Sequence, residues 1–292
     1  MKRSVLIRAL IAVVVVSVTL GFLTRYLQLH PEVTQQLGKV SNFVLATVFV
    51  LYLAMFVIIM QLFKLTIQLC EKSIKLKENF YINGYSIGLN FILPGQAGPV
   101  FRSGYAKRKY GIKFKTFLAA TLLYYFFYTI ISLSFVAIGS RPWWQAIFCI
   151  IALSLVLCAG LKWYAKKRSL HLSDFAIHKK WVIALLLFTY AQFNLQALIY
   201  FIELKAADHT LSLHQVISYT GIANLALFAG LTPAGIGVRE SFLVISEKIH
   251  QIPTDAIVVA NLIDRSIYVL FILFIFTSSV LVHQFYKKEA KA

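Results

Sequence analysis

Two arginines follow short segments that are rich in glycine and proline, in two separate apolar regions of the chain. Arg102 comes four residues after Gly98 in the segment Pro-Gly-Gln-Ala-Gly-Pro-Val-Phe-Arg, and Arg239 comes four residues after Gly235 in Thr-Pro-Ala-Gly-Ile-Gly-Val-Arg. Proline and glycine at this density end a helix, so each arginine is predicted to lie about one turn into the next helix. A guanidinium near a helix N-terminus opposes the helix dipole, which an anionic ligand or a carboxylate relieves. The pattern predicts phosphate binding.

Each arginine has an alternative explanation. Arg239 would form an internal ion pair, for example with Asp264, and Arg102 would be an ordinary charge at the cytoplasmic surface. Charged groups inside a membrane are costly and usually functional, so we favour ligand binding. The predicted substrate-binding residues are the charged groups and glycines of the two segments, together with polar residues of the last apolar region: Arg102, Arg239, Glu240, Asn261, Asp264, Arg265, Gly95, Gly98, Gly235 and Gly237.

The last apolar region carries a polar face. Asn261, Asp264, Arg265 and Tyr268 are spaced by three or four residues and so share one side of a helix. One hypothesis gives Asp264 a role in orienting arginines or coupling protons and Arg265 a role in headgroup contact. The other is a buried Asp–Arg pair that holds two helices together. Both hypotheses place this face inside the protein.

Further polar and aromatic residues lie near these segments. Tyr124, Tyr125 and Tyr128 either line a pathway or, as is more usual for aromatic residues in a span, pack against other helices. Asn90 and Asn224 precede the two breaks, and we expect their amides to bond the backbone groups that the breaks leave unpaired.

The composition is that of a membrane protein. Of 292 residues, 59% are hydrophobic and 14% are charged, whereas soluble domains have about 25% charged residues. We predict an all-α polytopic protein with a single membrane domain, 1–292. The net charge of +18 resides in short loops, which indicates contact with anionic lipid and not with nucleic acid. No nucleotide, metal or nucleophile motif occurs, so we expect no cofactor and no independent catalysis.

Six apolar stretches are long enough to cross a bilayer. The first follows basic residues without a cleavage site and is therefore expected to remain as a span. Most of the 29 positive residues fall in loops that this layout places inside, so both termini are predicted to face the cytoplasm of a cell (inner) membrane. The predicted spans are 5–23, 42–63, 114–138, 143–161, 181–202 and 254–282.

The two broken segments are predicted to be re-entrant hairpins. The arms are 80–93 and 100–108 in the first hairpin, and 214–231 and 238–249 in the second. A span, a hairpin and a span recur in the same order in 42–138 and 181–282, and the layout gives these repeats opposite orientations. Hairpins entering from opposite faces predict a polar cavity near the middle of the membrane, as in alternating-access transporters.

The segments 93–102 and 231–240 together resemble the lysylphosphatidylglycerol synthase transmembrane region family, also called flippase-like or uncharacterised membrane protein family 0104. The resemblance covers nearly the whole chain and implies movement of phospholipids or lipid-linked sugars between leaflets. Some members carry a fused lysyltransferase domain, which we expect to be absent because the chain ends at Ala292. Tyr124-Tyr125 stand where the family often has an acidic–Arg pair, which shifts the predicted charged site towards Arg239, Glu240, Asp264 and Arg265.

The function predicted from these features is translocation of a phosphate-bearing lipid or a lipid-linked sugar. One alternative is a membrane enzyme, or a subunit of one, that transfers an aminoacyl or glycosyl group to lipid. Another is an anchor that recruits a cytoplasmic transferase through the basic loop 162–180. The expected partners are therefore the transported lipid, anionic membrane lipid and, in the last case, that transferase.

Overall fold

The structure, a computed structural model, describes residues 28, 31, 35, 38–93, 97–140, 142–168, 179–207, 210–226 and 238–289. In these residues the regular secondary structure is helical, without strands, which confirms the predicted all-α polytopic fold. From residue 38 onwards the described helices are α1 (Asn42–Leu69), α2 (Leu76–Ile92), α3 (Ala97–Tyr110), α4 (Phe114–Ser140), α5 (Trp143–Arg168), α6 (Lys179–Ala207), α7 (Leu213–Ala226), α8 (Val238–Ile245), α9 (Glu247–His250) and α10 (Thr254–Glu289).

Four of the described helices are long and apolar enough to cross a membrane. They lie in α1, α4, α6 and α10, where the spans are Asn42–Leu69, Phe114–Gly139, Lys179–Ala207 and Thr254–Tyr286. The predicted span 143–161 falls within α5, which contains a shorter apolar stretch, Ile150–Gly160. The predicted first span, 5–23, lies outside the described residues.

Local signals in the sequence explain where the helices begin and end. The Ser41 side chain accepts a hydrogen bond from the backbone N–H of Val44 and so caps the start of α1. At the other end of α1, Glu71 adopts a φ of 58°, a left-handed conformation that stops the helix. Gly111, with a φ of 66°, makes the turn between α3 and α4.

Two pairs of short helices form hairpins that enter the bundle from opposite ends. Helix α2 packs against α3, and α7 packs against α8. The first hairpin is closed by the tip near Leu93 and opens where α2 follows α1. The second opens at the other end of the bundle, where α7 follows α6. These pairs agree with the predicted broken hairpins, although the second arm of the second hairpin is divided between α8 and α9.

Basic residues are concentrated at the end of the bundle where the first hairpin opens. The loops 70–75 and 111–113 are short, and Ile74, Ile112, Trp181 and Tyr286 belong to one hydrophobic cluster. The ends of α1, α3 and α10 therefore lie beside the starts of α2, α4 and α6. The basic residues in this part of the described chain include Lys72, Lys75, Lys77, Lys107, Arg108, Lys109, Lys113, Lys115, Lys179 and Lys180.

The packing contacts of the helices in the first half of the chain correspond to those of the helices in the second half. Helix α1 packs against α6, while α2 packs against α10 and α4 packs against α7. Contacts of α1 with α10 have a counterpart in contacts of α4 with α6. If α1, α2, α3 and α4 are exchanged with α6, α7, α8 and α10 in that order, each of these packing pairs becomes a pair that is also in contact in the described structure.

Small residues allow the hairpins to approach the long helices closely. A Cβ atom on Gly84 of α2 would collide with the Ser279 hydroxyl group of α10. A Cβ atom on Gly221 of α7 would lie 2.5 Å from the backbone oxygen of Ser132 in α4. Contacts of this kind take the place of the hydrophobic effect in holding helices together inside lipid.

A buried carboxylate fixes the two arms of the first hairpin at the basic end. Glu78 of α2 is 1% exposed. It forms a 2.8 Å ion pair with Lys109 of α3 and accepts hydrogen bonds from the hydroxyl groups of Tyr105 and Tyr110. These contacts join the start of α2 to the end of α3 at the open end of the hairpin.

Candidate functional site

A cavity of about 360 Å³ lies between the two hairpins and the four long helices. Its volume falls within the range of about 300–1,000 Å³ that is usual for small-molecule sites. The charged residues that line it are Arg102, Arg239, Asp264 and Arg265. The polar and aromatic lining includes Thr66, Asn90, Thr121, Gln192, Gln196, Asn224, Tyr52, Tyr124, Tyr125, Tyr128, Tyr200 and Tyr268.

Arg239 is held in a network of buried partners. Its Nη2 atom lies 2.6 Å from the Oδ2 atom of Asp264 and donates a 2.6 Å hydrogen bond to Asn261. Its Nη1 atom donates to the Tyr200 hydroxyl at 3.4 Å, and Tyr52 donates to the other oxygen of Asp264. The side chains of Arg239 and Asp264 are 7% and 2% exposed. The ion pair considered for Arg239 is therefore formed, and Asp264 already balances its charge.

Arg102 has a different environment. Its Nε atom donates a 2.7 Å hydrogen bond to the Ser86 hydroxyl of α2, and its guanidinium lies over the Phe63 ring at 5.6 Å from the centroid. No carboxylate among the described residues forms an ion pair with it. Since it lines the cavity, Arg102 is not the plain surface charge of the alternative explanation.

The polar face of α10 points inwards as expected. Asp264, Arg265 and Tyr268 line the cavity, and Asn261 is buried against Arg239. Arg265 is half-buried, and so places a third positive side chain at the cavity wall.

The predicted glycines and Glu240 are only partly described. Gly98 lies where α3 meets α2, and a Cβ atom there would lie 2.5 Å from the backbone oxygen of Ser86. Gly98 therefore allows α2 and α3 to pack closely against each other. The positions 95, 235 and 237 lie outside the described residues, and Glu240 is described only as part of the α8 backbone.

The two asparagines before the breaks differ in what they bond. Asn90 accepts a 2.7 Å hydrogen bond from the backbone N–H of Gly98, so it ties together the two sides of the first break as expected. Asn224 instead donates to the Thr220 carbonyl and accepts from the Tyr128 hydroxyl. In the described part of the chain it binds its own helix and α4, which differs from the expected contact with a broken backbone.

Comparison with known families agrees with this architecture. A family model described as lysylphosphatidylglycerol synthase TM region matches residues 5–275. The chain belongs to this family. No curated protein and no solved structure matches it. The matched range contains both arginine segments, the α10 polar face and the predicted first span, so the resemblance noted in the sequence is confirmed.

Several residues of this lysylphosphatidylglycerol synthase TM-region chain were missed by reasoning from the sequence. Gln192 and Gln196 of α6 line the cavity, and Tyr52 of α1 reaches Asp264. Glu203 of α6 is 1% exposed, and its Oε1 atom has no hydrogen-bond partner in the described structure. The signal for the glutamines was present, because two amides four residues apart in an apolar span share one helix face.

The charges that line the cavity do not cancel. Arg102, Arg239 and Arg265 contribute three positive charges and Asp264 contributes one negative charge. Asp264 pairs with Arg239, whereas Arg102 forms no ion pair with a described carboxylate. Such a surplus in a region of low dielectric constant attracts an anion and disfavours a cation.

Proposed function

We propose that the protein moves a phosphate-bearing lipid between the two leaflets of the membrane, with the headgroup in the cavity and the acyl chains in lipid. The observation that carries this proposal is a cavity lined by three arginines and one carboxylate, placed between two broken hairpins. Arg102 has no ion-pair partner among the described residues, and a charge at membrane depth without a counter-ion favours binding of an anion.

The three arginines have different partners, so we assign them different roles. Asp264 already occupies Arg239 and would repel a phosphate there. Arg102 is bound only to a neutral hydroxyl and an aromatic face among the described residues, so it is the stronger candidate to bind phosphate. We therefore assign phosphate binding first to Arg102, with Arg265 as a second cation and Arg239 as a support for the wall.

The packing supports an inverted-repeat mechanism. We propose that 42–138 and 181–282 are two repeats of a single membrane domain, because exchanging their helices preserves the main packing pairs. Two hairpins that enter from opposite ends give each side of the membrane a structurally similar route to the same cavity. Such symmetry is the basis of alternating access in many transporters.

The end of the bundle with the most basic residues supports an orientation of the protein in the membrane. Loops with an excess of lysine and arginine remain on the cytoplasmic side of a membrane. We therefore propose a cytoplasmic-membrane location in which the end with Lys107, Arg108 and Lys113 faces the cytoplasm, as does the end of α10.

Translocation is tested with purified protein in liposomes that contain phosphatidylglycerol with a fluorescent acyl chain. A quencher added outside reports lipid that reaches the outer leaflet. We expect the intact protein to accelerate this movement and Arg102→Gln to slow it at least about tenfold, the loss typical of a charged hydrogen bond. Arg108→Gln is the matched control, because Arg108 is exposed on the same helix and does not line the cavity.

Two outcomes of this assay would contradict the proposal. If the intact protein moves no phosphate-bearing lipid, the proposal is wrong, and co-purification of a soluble transferase would then favour the anchor function. Equal rates for Arg102→Gln and Arg108→Gln would refute the role of Arg102.

A further inference from the structure

The cavity has an amide face next to Arg102 that the phosphate does not explain. We define it by Gln192 and Gln196 of α6 and by Tyr124 and Thr121 of α4, all of which line the cavity. Helix α3, which carries Arg102, packs against α4, which carries Tyr124, and both residues line the cavity, so the amide face and Arg102 share one cavity. Each group on this face is neutral and can donate or accept hydrogen bonds.

The amide face has unused hydrogen-bonding capacity. The Gln192 Oε1 atom accepts a 3.1 Å hydrogen bond from the Tyr124 hydroxyl, but its Nε2 atom bonds no described residue. The Gln196 side chain makes no hydrogen bond within the described structure, although it also faces the cavity. An amide in a membrane span is unfavourable unless a partner satisfies it, so two such amides on one face indicate a polar ligand.

We infer that the amide face binds hydroxyl groups, so that the transported headgroup is the phosphate ester of a polyol or a sugar. The inference rests on the proposed function, because it names the substrate class of the same cavity. Hydroxyl groups both donate and accept, which matches amides, a phenol and the Thr121 hydroxyl. Flat tyrosine rings supply the apolar contact that the carbon skeleton of such a headgroup requires.

A headgroup with an amino group fits the cavity less well. The one carboxylate among the described lining residues, Asp264, is occupied by Arg239 and Tyr52. Two further arginines would repel an ammonium group in a medium of low dielectric constant. Inorganic phosphate alone would leave the amide face unused.

The first test measures binding to the unmodified protein in detergent by calorimetry, with soluble probes in place of the lipid. The probes are inorganic phosphate, glycerol 1-phosphate, a hexose 1-phosphate and phosphoethanolamine. We expect at least one of the two hydroxylated esters to bind about tenfold more tightly than phosphoethanolamine, the gain from one or two further hydrogen bonds. Whichever of the two binds more tightly identifies glycerol-type or sugar-type headgroups as the source. Equal or tighter binding of phosphoethanolamine would overturn the inference.

The second test removes the amide face. The variant Gln192→Leu/Gln196→Leu keeps the side-chain size and is expected to weaken the favoured hydroxylated ester about tenfold, while inorganic phosphate changes less than about twofold. Asn194→Leu is the matched control, because Asn194 lies between them on α6 but is exposed to the outside of the bundle. Unchanged binding of the ester, or an equal loss for inorganic phosphate, would contradict a separate hydroxyl site. The first test decides the matter if the double variant does not fold.

These measurements separate the inference from the proposed function. Binding needs no transport, so selectivity for hydroxylated esters without lipid movement would refute translocation alone. Lipid movement by a protein without that selectivity would refute the amide face alone.

Discussion

Removing the negative charge of Asp264 should destabilise the protein and at the same time open a second anion site. In the intact protein Asp264 balances Arg239 at 2.6 Å, with both side chains almost fully buried. Asp264→Asn preserves the size of the side chain and its bond from Tyr52 but removes the carboxylate charge that pairs with the guanidinium of Arg239. The variant therefore lacks the Arg239–Asp264 ion pair, and an anion from solution can take the place of the carboxylate.

The size of the effect follows from the partners that remain. Breaking a buried pair by removing one charge costs about 3–5 kcal/mol, most of which is the penalty of the charge left behind. Arg239 retains its hydrogen bonds to Asn261 and Tyr200, so we expect the lower end, about 3 kcal/mol. The double variant Arg239→Gln/Asp264→Asn removes both charges, and should recover about 1–3 kcal/mol relative to the sum of the single variants.

The assay is thermal unfolding of the purified protein in detergent, with and without inorganic phosphate. Asp264→Asn should melt at a lower temperature than the intact protein, and phosphate should raise its melting temperature more than that of the intact protein because it binds Arg239 as well. If the effects of the two single variants simply add, the ion pair contributes no coupling. That result, or a smaller phosphate effect in Asp264→Asn, would refute the reasoning.

Two further predictions concern packing and pH. Gly98→Ala should cost about 1–3 kcal/mol in unfolding free energy, because its Cβ atom would collide with the backbone of Ser86. Gly104→Ala on the same helix, with open space around it, should be neutral or stabilising by up to about 1 kcal/mol in the same melting experiment. Burial lowers the pKa of His250, whose Nδ1 atom accepts the N–H of Ile252. The unfolded chain therefore takes up a proton first, and stability should fall as the pH drops through about 6.5. Melting curves at pH 8 and pH 5 check this, and His250→Gln should reduce the difference.

The helices were predictable because lipid imposes a simple rule on the sequence. A long apolar run must be helical to satisfy its backbone, so α1, α4, α6 and α10 follow from composition and length. The broken hairpins also follow, since proline and glycine end a helix wherever they cluster. The exact ends were less predictable. The first hairpin arms extend to Leu76 and Tyr110, beyond the apolar residues, because Glu78 and its tyrosine partners continue the helices into the polar end.

The site was predictable in its charges but not in its pairings. Arg102, Arg239, Asp264 and Arg265 line one cavity, as charged residues in apolar surroundings suggested. The sequence alone left open whether Arg239 meets a ligand or Asp264, because that choice depends on how α8 and α10 pack. Contacts between residues distant in the chain, such as that of Tyr52 with Asp264, carry no local pattern and required the structure.

The two halves of the cavity keep a common geometry while differing in charge. Tyr52 of α1 donates to Asp264 of α10, and Tyr124 of α4 donates to Gln192 of α6. A shift of 140 positions along the chain converts one pair into the other, because Gln192 takes the place of Tyr52 and Tyr124 takes the place of Asp264. The half with Asp264 can neutralise its own arginine, whereas the half with Tyr124 leaves Arg102 without an acidic partner among the described residues. The proposed phosphate ester would therefore bind in one orientation, with its anion on Arg102 and its hydroxyl groups on the amides beside it.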